Sequence, residues 1–252
     1  MYLNREIWAA RLYLILAGIF IASLVTCNLI FQKFFAWTPF SFLLENGGFL
    51  QNILPESWLK HIGGYTFEIS VGILPYPVTF LVTDIISEIY GRKKANQVVL
   101  TGFVASIFIM AVTMLADVMT ATAWSPVSND EFHKVFGLFG PAVFASMTAY
   151  LIAQFIDIRI FHFWKNLTKG KHLWLRNNGS TIFSQLFDTA SVLLLLCSFG
   201  VIDWDRFLSL LTNGFLFKVL VAFLDTPLFY LCSWYLRKSF KLELNESLSD
   251  NR

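Results

Sequence analysis

Four pairs of polar residues recur at helical spacing inside otherwise apolar stretches of the chain. They are Asp84 and Glu88, Gln154 and Asp157, Gln185 and Asp188, and Lys218 and Asp225. Residues three, four or seven apart share one face of a helix, so each pair points to one side. An ionisable group in hydrocarbon costs at least ~2.5 kcal/mol, and it therefore needs a partner, a cavity or a solute. We interpret all eight residues as candidates for solute binding, with interhelical hydrogen bonding as the alternative.

The chemistry of these pairs suits a planar edge rich in hydrogen-bonding groups. A carboxylate accepts two parallel N–H donors, whereas a carboxamide offers both an acceptor and donors. The edge of a guanine-like base presents the complementary groups. Phe155, Phe161 and Trp174 offer stacking surfaces, although in a Phe-rich membrane chain such rings more often face lipid or the core. Asn28 and Asp117 are weaker candidates for the same site.

The chain carries no pattern typical of catalysis, of a metal site or of a cofactor. Its four histidines lack the spacing of metal ligands, and no glycine-rich phosphate loop is present. Its net charge of +2 is scattered in short clusters, so nucleic acid is not an expected partner. An intramembrane hydrolase using paired carboxylates is an alternative, but no nucleophile motif accompanies the acids. We predict no enzyme activity, no metal and no cofactor.

The elements that position these residues are membrane-spanning helices. Hydrophobic residues make up 56% of the chain and charged residues only 14%, which is far from the composition of a soluble domain. The first apolar run, residues 12–32, has no charge and is too long for a signal peptide. We predict an all-α bundle of six helices in one membrane domain, 1–252. The predicted helices are 11–35, 69–90, 96–118 (with Asn96 as N-cap), 135–164, 180–202 and 207–236.

The distribution of basic residues predicts the orientation of the chain. Of the 19 Lys and Arg residues, 14 fall on the side that carries both termini, four on the other side and Lys218 within a helix. Because basic residues are retained on the cytoplasmic side, we expect both termini to face the cytoplasm of a bacterial inner membrane. The tail, 238–252, is expected to be cytoplasmic and mobile.

Counting along the helices also predicts the depth of the acids. Asp84, Asp157, Asp188 and Asp225 each lie seven to eleven residues from the cytoplasmic end of a predicted helix. At ~1.5 Å per residue these distances are ~10 to 16 Å, so the four carboxylates are expected to share one layer of the bilayer.

Two stretches are expected to be irregular. Gly72, Pro75 and Pro77 disfavour regular helix at the outer side of the second span, which predicts a discontinuous helix; a proline-kinked continuous span is the alternative. Residues 36–68 mix aromatic residues with glycine and proline, and are either an interfacial segment or a plain extracytoplasmic loop. The sequence leaves a monomer and a homodimer both open.

Three motifs in a fixed order resemble a known family. The first is Pro77, Thr83-Asp84 and Glu88-x-Tyr90-Gly91 within residues 76–95. The second is Gln154 and Asp157, then Trp174-x-Arg176-Asn177-Asn178, Ser180-Thr181, Ser184-Gln185 and Asp188; the third is Asp225-Thr226-Pro227. Together they resemble the bacterial queuosine precursor transporters, also called vitamin uptake transporters, over most of residues 69–235.

The resemblance implies import of a 7-deazaguanine base, such as preQ0, preQ1 or queuine, for salvage into transfer RNA. This agrees with the guanine-edge chemistry of the polar pairs. The chain differs from the family in residues 36–66, which look longer than the usual connection. Trp174, Arg176, Asn177 and Asn178 are expected to form either a cytoplasmic gate or a structural cap of the following helix. The alternative function is the substrate-binding membrane subunit of an ATP-driven vitamin uptake complex.

Overall fold

The computed structural model describes residues 2–44, 55–137, 141–200, 202–243 and 246–248. Eight α-helices and one two-stranded sheet lie within these ranges. The elements are α1 (Tyr2–Ile30), β1 (Phe34–Trp37), α2 (Glu56–Gly63), β2 (Phe67–Ser70), α3 (Tyr76–Tyr90), α4 (Arg92–Val118), α5 (Asn129–Phe136), α6 (Pro141–Leu167), α7 (Leu173–Ser198) and α8 (Phe207–Ser239). Short 3₁₀ turns cover Ser41–Leu44, Val71–Ile73 and Trp204–Arg206.

Helix α3 lies at the centre of the bundle. It packs against α1, α4, α6 and α8, while α6 with α7 and α7 with α8 form neighbouring pairs. Eleven of its 15 residues are buried, polar ones included. Its polar side chains therefore face other helices. Gly91 alone separates α3 from α4 at φ +83°, a conformation that suits a residue without a Cβ.

The outer surface of the bundle is apolar. Large hydrophobic side chains are exposed along the long helices, among them Leu14, Phe108, Leu115 and Leu231. Such a surface is unusual for a protein in water and typical of one that contacts lipid. Five helices are long and apolar enough to cross a membrane among the residues that the structure describes: Arg5–Ile30, Val71–Tyr90, Arg92–Val118, Leu173–Ser198 and Trp204–Ser239. The predicted fourth span corresponds to α6, 27 residues long, and its crossing stays a prediction.

A small antiparallel hairpin accompanies the predicted helices. Strands β1 and β2 pair with Phe34 opposite Ser70 and Trp37 opposite Phe67. Residues 36–68 therefore include strand and the short helix α2, and residues 69–70, which were assigned to the second span, are strand. Successive side chains of β2 point to opposite faces of the sheet. Phe67 and Ile69 are therefore buried and contact Phe217 of α8, whereas Glu68 between them is exposed.

The second span is interrupted near the two prolines. A 3₁₀ turn, Val71–Ile73, is followed by a bend at Leu74 and Pro75, and α3 begins only at Tyr76. Pro77 lies in the first turn of α3, where the absence of an N–H is tolerated. Gly72 allows close packing on α1, since a Cβ there would lie 2.8 Å from the carbonyl oxygen of Cys27. The chain therefore enters the bundle as irregular backbone.

Several other boundaries differ from the prediction. Helix α4 begins at Arg92 rather than after Asn96, and α7 begins at Leu173 rather than 180. The predicted fourth helix is preceded by a separate helix, α5, whose N-terminus is capped by a capping box of Ser128 and Glu131. The start of the tail is packed instead of mobile, because Phe240 is buried against Trp8 and the Leu248 amide donates to the Ile89 carbonyl at 2.8 Å.

Candidate functional site

The predicted polar residues lie at three levels of the bundle. We call the end that carries β1 and β2 the hairpin end, and the end at Tyr90 and Leu173, where α3 finishes and α7 begins, the termini end. Asp188 and Lys218 lie near the hairpin end, Asp84 and Asp157 lie deeper, and Glu88 lies at the termini end. The structure therefore corrects the expectation of a single carboxylate layer.

A cavity of about 240 Å³ opens at the hairpin end. Its walls are mainly apolar side chains of α1, α7 and α8, together with Phe34 of β1 and the 3₁₀ turn at Gly72. Tyr76, Asp188 and Lys218 form its polar floor, and we call this site the hairpin-side cavity. Its volume falls just below the ~300 Å³ lower end of drug-sized pockets, so it suits a small solute.

The polar floor joins three helices through short contacts. Lys218 Nζ lies 2.8 Å from Asp188 Oδ2, and the Tyr76 hydroxyl donates to the same oxygen at 2.5 Å. Lys218 also donates to Thr189 Oγ1 at 3.0 Å and lies 4.1 Å from the centroid of the Tyr76 ring. Lys218 of α8 therefore pairs with Asp188 of α7, and no ion pair joins it to Asp225 among the described residues. The ring and the ion pair fix each other's position.

The floor keeps hydrogen-bonding capacity that the described residues do not use. Asp188 Oδ1 and Gln185 Oε1 are buried acceptor atoms without a hydrogen-bond partner among the described residues. Gln185 and Asp225 line a small cavity of about 20 Å³, which also contacts Tyr76 and Lys218. Asn28 lines the hairpin-side cavity and donates to Ser106 at 3.3 Å. A buried acceptor left unpaired is costly, and a solute with N–H donors would satisfy it.

Two carboxyl groups meet at the middle level. Asp84 of α3 and Asp157 of α6 are fully buried and close enough to hydrogen-bond to each other. Ser184 of α7 donates to Asp157 Oδ1 at 3.0 Å. Beside them, Gln154 donates to the Tyr150 hydroxyl at 2.6 Å and accepts from Thr83 at 3.4 Å. We call Asp84 and Asp157 the carboxyl pair.

Glu88 lies in a different environment from the other predicted acids. Its Oε1 is 2.7 Å from an Arg176 nitrogen and 2.5 Å from an Arg237 nitrogen, and its Oε2 is 3.3 Å from Lys165 Nζ. Glu88, Arg176 and Lys165 are buried, and Arg237 is largely so. These four residues, which we call the ion cluster, tie α3, α6, α7 and α8 together at the termini end. Direct contact of Glu88 with solute requires the ion cluster to open.

The four residues predicted as a gate or a cap lie inside the first turns of α7. The residue at the N-cap position is His172, whose side chain makes no capping hydrogen bond, so the cap hypothesis is wrong. Trp174 is half exposed, and Asn177 is buried. Asn178 donates to Thr226 of α8 at 2.8 Å. Arg176 belongs to the ion cluster, and a gating role for this segment stays a prediction.

Sequence reasoning missed four residues that complete these sites. Tyr76 and Tyr150 line the hairpin-side cavity, and Lys165 and Arg237 hold Glu88. In the sequence, Lys165 and Arg237 cannot be distinguished from the basic residues that commonly flank membrane spans. Asp117, the other weak candidate, pairs at 2.7 Å with His133 of α5 and takes no part in the site.

Apolar helices of membrane-crossing length around a small cavity with buried charges define a multi-pass membrane transporter. A family model described as "Putative vitamin uptake transporter" matches residues 70–232, which is more than half of the chain. The chain belongs to this family.

Two relatives are both named "Probable queuosine precursor transporter". The chain is 26% identical over 197 residues, covering 78% of this chain and 81% of the relative, to the "Probable queuosine precursor transporter" of Bacillus subtilis (strain 168). It is 26% identical over 125 residues, half of each chain, to the protein of that name from Haemophilus influenzae (strain ATCC 51907 / DSM 11121 / KW20 / Rd). No solved structure matches the chain.

Proposed function

We propose that this protein imports a 7-deazaguanine base, such as preQ0, preQ1 or queuine, for salvage into transfer RNA queuosine. The printed names of both relatives support a queuosine precursor as solute. The observation that carries the proposal is the floor of the hairpin-side cavity, where Asp188 presents an unpaired acceptor oxygen beside the Lys218 ammonium. A membrane protein retains such buried polar groups where they serve function.

The floor complements the edge of a guanine-type base. Such a base presents an exocyclic amine as donor and a carbonyl oxygen as acceptor. Asp188 Oδ1 would accept from an N–H group, and Lys218 Nζ would donate to the carbonyl oxygen. Gln185 Oε1, a second unpaired acceptor, lines the adjacent small cavity, which also contacts Tyr76 and Lys218. The rings of Tyr76 and Tyr150, whose centroids lie 5.5 Å apart at the cavity, provide flat apolar surfaces. The remaining walls are mainly apolar and include the acid Glu68, which disfavours a phosphorylated nucleotide.

The same arrangement suggests how the carrier alternates between its two faces. We infer that the hairpin end faces outward and that both termini lie in the cytoplasm of a bacterial inner membrane, in line with the excess of basic residues at the termini end. The structure then has its cavity open to the outside, with the ion cluster closing the inner side. Rearrangement of Arg176 and its neighbours in α7 would open the path inward, which gives Trp174, Asn177 and Asn178 their gating role.

Complementation tests this function directly. A bacterial strain that lacks both de novo precursor synthesis and its own carrier is transformed with the gene and supplied with preQ0, preQ1 or queuine in turn. We expect queuosine to reappear in transfer RNA, and the effective base identifies the solute. Absence of queuosine with all three bases, despite membrane expression of the protein, would refute the proposal. Neither relative's name points to an ATPase partner, so the expressed protein is expected to suffice alone.

A further inference from the structure

The carboxyl pair has no part in the solute site as described, although both of its acids are almost completely buried. Asp84 and Asp157 retain 1% and 0% of their accessible surface. We propose that the carboxyl pair binds the proton whose inward movement drives uptake of the solute. This inference rests on the proposed function and adds its source of energy.

The first argument is charge balance. None of the ion pairs formed among the described residues involves Asp84 or Asp157. Asp84 Oδ1 and Asp157 Oδ2 are buried and have no hydrogen-bond partner within the described ranges. Two adjacent carboxylates cannot both remain ionised in such surroundings, as the shared proton of the aspartic-protease dyad illustrates. A single proton between the two carboxyl groups removes this repulsion.

The charged groups around the pair favour a change in its protonation during transport. On α3 the nearest acid is Glu88, which the ion cluster neutralises. On α7, Arg176 is close enough to interact electrostatically with Asp84, while Ser184 donates to Asp157 Oδ1 at 3.0 Å. On α6 the neighbour is the neutral Gln154. If the ion cluster opens, Arg176 becomes available to Asp84, and its positive charge favours loss of the shared proton.

A chain of polar side chains leads from the hairpin-side cavity to the level of the pair. Tyr150 lines the cavity, Gln154 donates to its hydroxyl at 2.6 Å, and Thr83 donates to Gln154 at 3.4 Å. Thr83 precedes Asp84, and Gln154 lies one turn before Asp157 on α6. Through these contacts polar side chains extend from the hairpin-side cavity toward the carboxyl pair. In each transport cycle one proton and one base move inward together, and no covalent bond forms or breaks.

The geometry of the carboxyl pair also indicates whether it binds a proton or a sodium ion. Neither Asp84 nor Asp157 lines any of five cavities of the described part of the chain, and the two side chains are already close enough to hydrogen-bond. A metal ion needs several oxygen ligands arranged around a space of its own. A proton needs only the two carboxyl oxygens, so the pair fits a proton.

Transport by the purified full-length protein in sealed vesicles tests the proposal, with tritiated preQ0 as a neutral probe. With the outside more acidic by one pH unit, one proton per solute permits accumulation of up to about tenfold. We expect this accumulation, its collapse with a protonophore and acidification of the lumen when preQ0 is added. A sodium gradient should have no effect. Accumulation driven by sodium, or counterflow without accumulation under either gradient, would overturn the proposal.

Variants separate coupling from solute recognition. Asp84→Asn and Asp157→Asn should abolish accumulation driven by the pH gradient while preQ0 counterflow continues, and Asp157→Glu should restore part of the accumulation. Asp117→Asn, at an acid remote from the path, should behave as wild type. Accumulation that survives both Asn substitutions would contradict the proposal. Absence of counterflow in the wild type with preQ0, preQ1 and queuine alike would instead refute the proposed function. If the Asn variants do not fold, the proton flux of the wild type decides.

Discussion

The ion cluster and the hairpin-side cavity use buried charge in opposite ways. At the termini end, Glu88 is surrounded by Lys165, Arg176 and Arg237, and every contact is 3.3 Å or shorter. At the hairpin end, Asp188 has one cation, one hydroxyl donor and one oxygen without a partner among the described residues. Both sites keep buried polar atoms without a hydrogen-bond partner among the described residues, Glu88 Oε2, Arg176 Nε and Arg237 Nη2 in the first and Asp188 Oδ1 in the second. The difference is that Glu88 is surrounded by three cations, whereas Asp188 borders the hairpin-side cavity, where a solute can reach it. Burial alone thus does not identify a binding residue.

The largest effect is expected for Glu88→Gln. The substitution removes the single negative charge that three buried or nearly buried cations share. Loss of one partner in a buried ion pair typically costs about 3–5 kcal/mol, because the remaining charge stays desolvated. We therefore expect a large loss in the free energy of unfolding, measured by thermal or chemical denaturation of the protein in detergent.

The matched control for this variant is Glu56→Gln in α2. Glu56 forms an exposed pair with Lys60 at 2.7 Å, four residues apart on one short helix. Solvent screens such an exposed pair, so this variant should unfold almost as wild type. Equal stabilities of the two variants would contradict the structural role assigned to the ion cluster.

The next largest effect is expected for Asp188→Asn, and it concerns solute affinity. Asparagine is nearly the same size as aspartate, but it is neutral and has only one acceptor oxygen. It therefore cannot form an ion pair with Lys218 or accept hydrogen bonds at two oxygens. A hydrogen bond to a charged group contributes about 1.5–3 kcal/mol, which corresponds to a roughly 10- to 150-fold weaker affinity for the base. The preQ0 concentration that gives half-maximal counterflow in vesicles measures this change in affinity.

The control for Asp188→Asn is Asp205→Asn, an exposed acid on the 3₁₀ turn before α8. It should leave affinity unchanged. If Asp188→Asn instead retained wild-type affinity and unfolded as easily as Glu88→Gln, the contrast between a solute site and a structural cluster would be wrong.

Local sequence patterns predicted most of the helices and the polar residues within them. The long uncharged runs predicted the spans because crossing a bilayer requires ~20 apolar residues. The prolines at 75 and 77 indicated the break before α3, since they cannot continue a helix. Helical spacing also placed the paired polar residues on interior faces. These signals depend only on residues close together in the sequence.

Features that depend on contacts between distant segments were not predicted. The β1–β2 hairpin pairs residues 30 to 36 apart, and its strands are only four residues long. The single carboxylate layer was wrong because depth was counted from predicted ends, and α7 begins seven residues earlier than expected. Glu88 was grouped with the solute residues because its cations come from α6, α7 and α8. No local pattern distinguishes these cations from basic residues at a membrane surface.

A smaller effect on stability is expected for Gly72→Ala at the wall of the cavity. The added Cβ would meet backbone of α1 at 2.8 Å from Cys27 O and 2.9 Å from Phe31 Cα, and backbone cannot rotate away. Overpacking of this kind costs about 1–3 kcal/mol. Gly18→Ala is the matched control, because a Cβ there has no neighbour within 4 Å. That control should be neutral or slightly stabilising, and denaturation of both variants checks the difference. Similar results for the two would mean that the cavity wall yields easily.

The smallest effect is expected for Tyr76→Phe, which sharpens the description of the cavity floor. The change removes the hydroxyl that donates to Asp188 at 2.5 Å but keeps the ring that contacts Lys218. A single net hydrogen bond is worth about 0.5–1.5 kcal/mol, so affinity for preQ0 should fall by roughly 2- to 13-fold. Tyr65→Phe loses an equally short hydrogen bond, to Asn213, yet Tyr65 does not line the cavity, so its affinity should be unchanged. If Tyr76→Phe bound preQ0 more tightly, the hydroxyl would compete with the solute for Asp188 instead of orienting it.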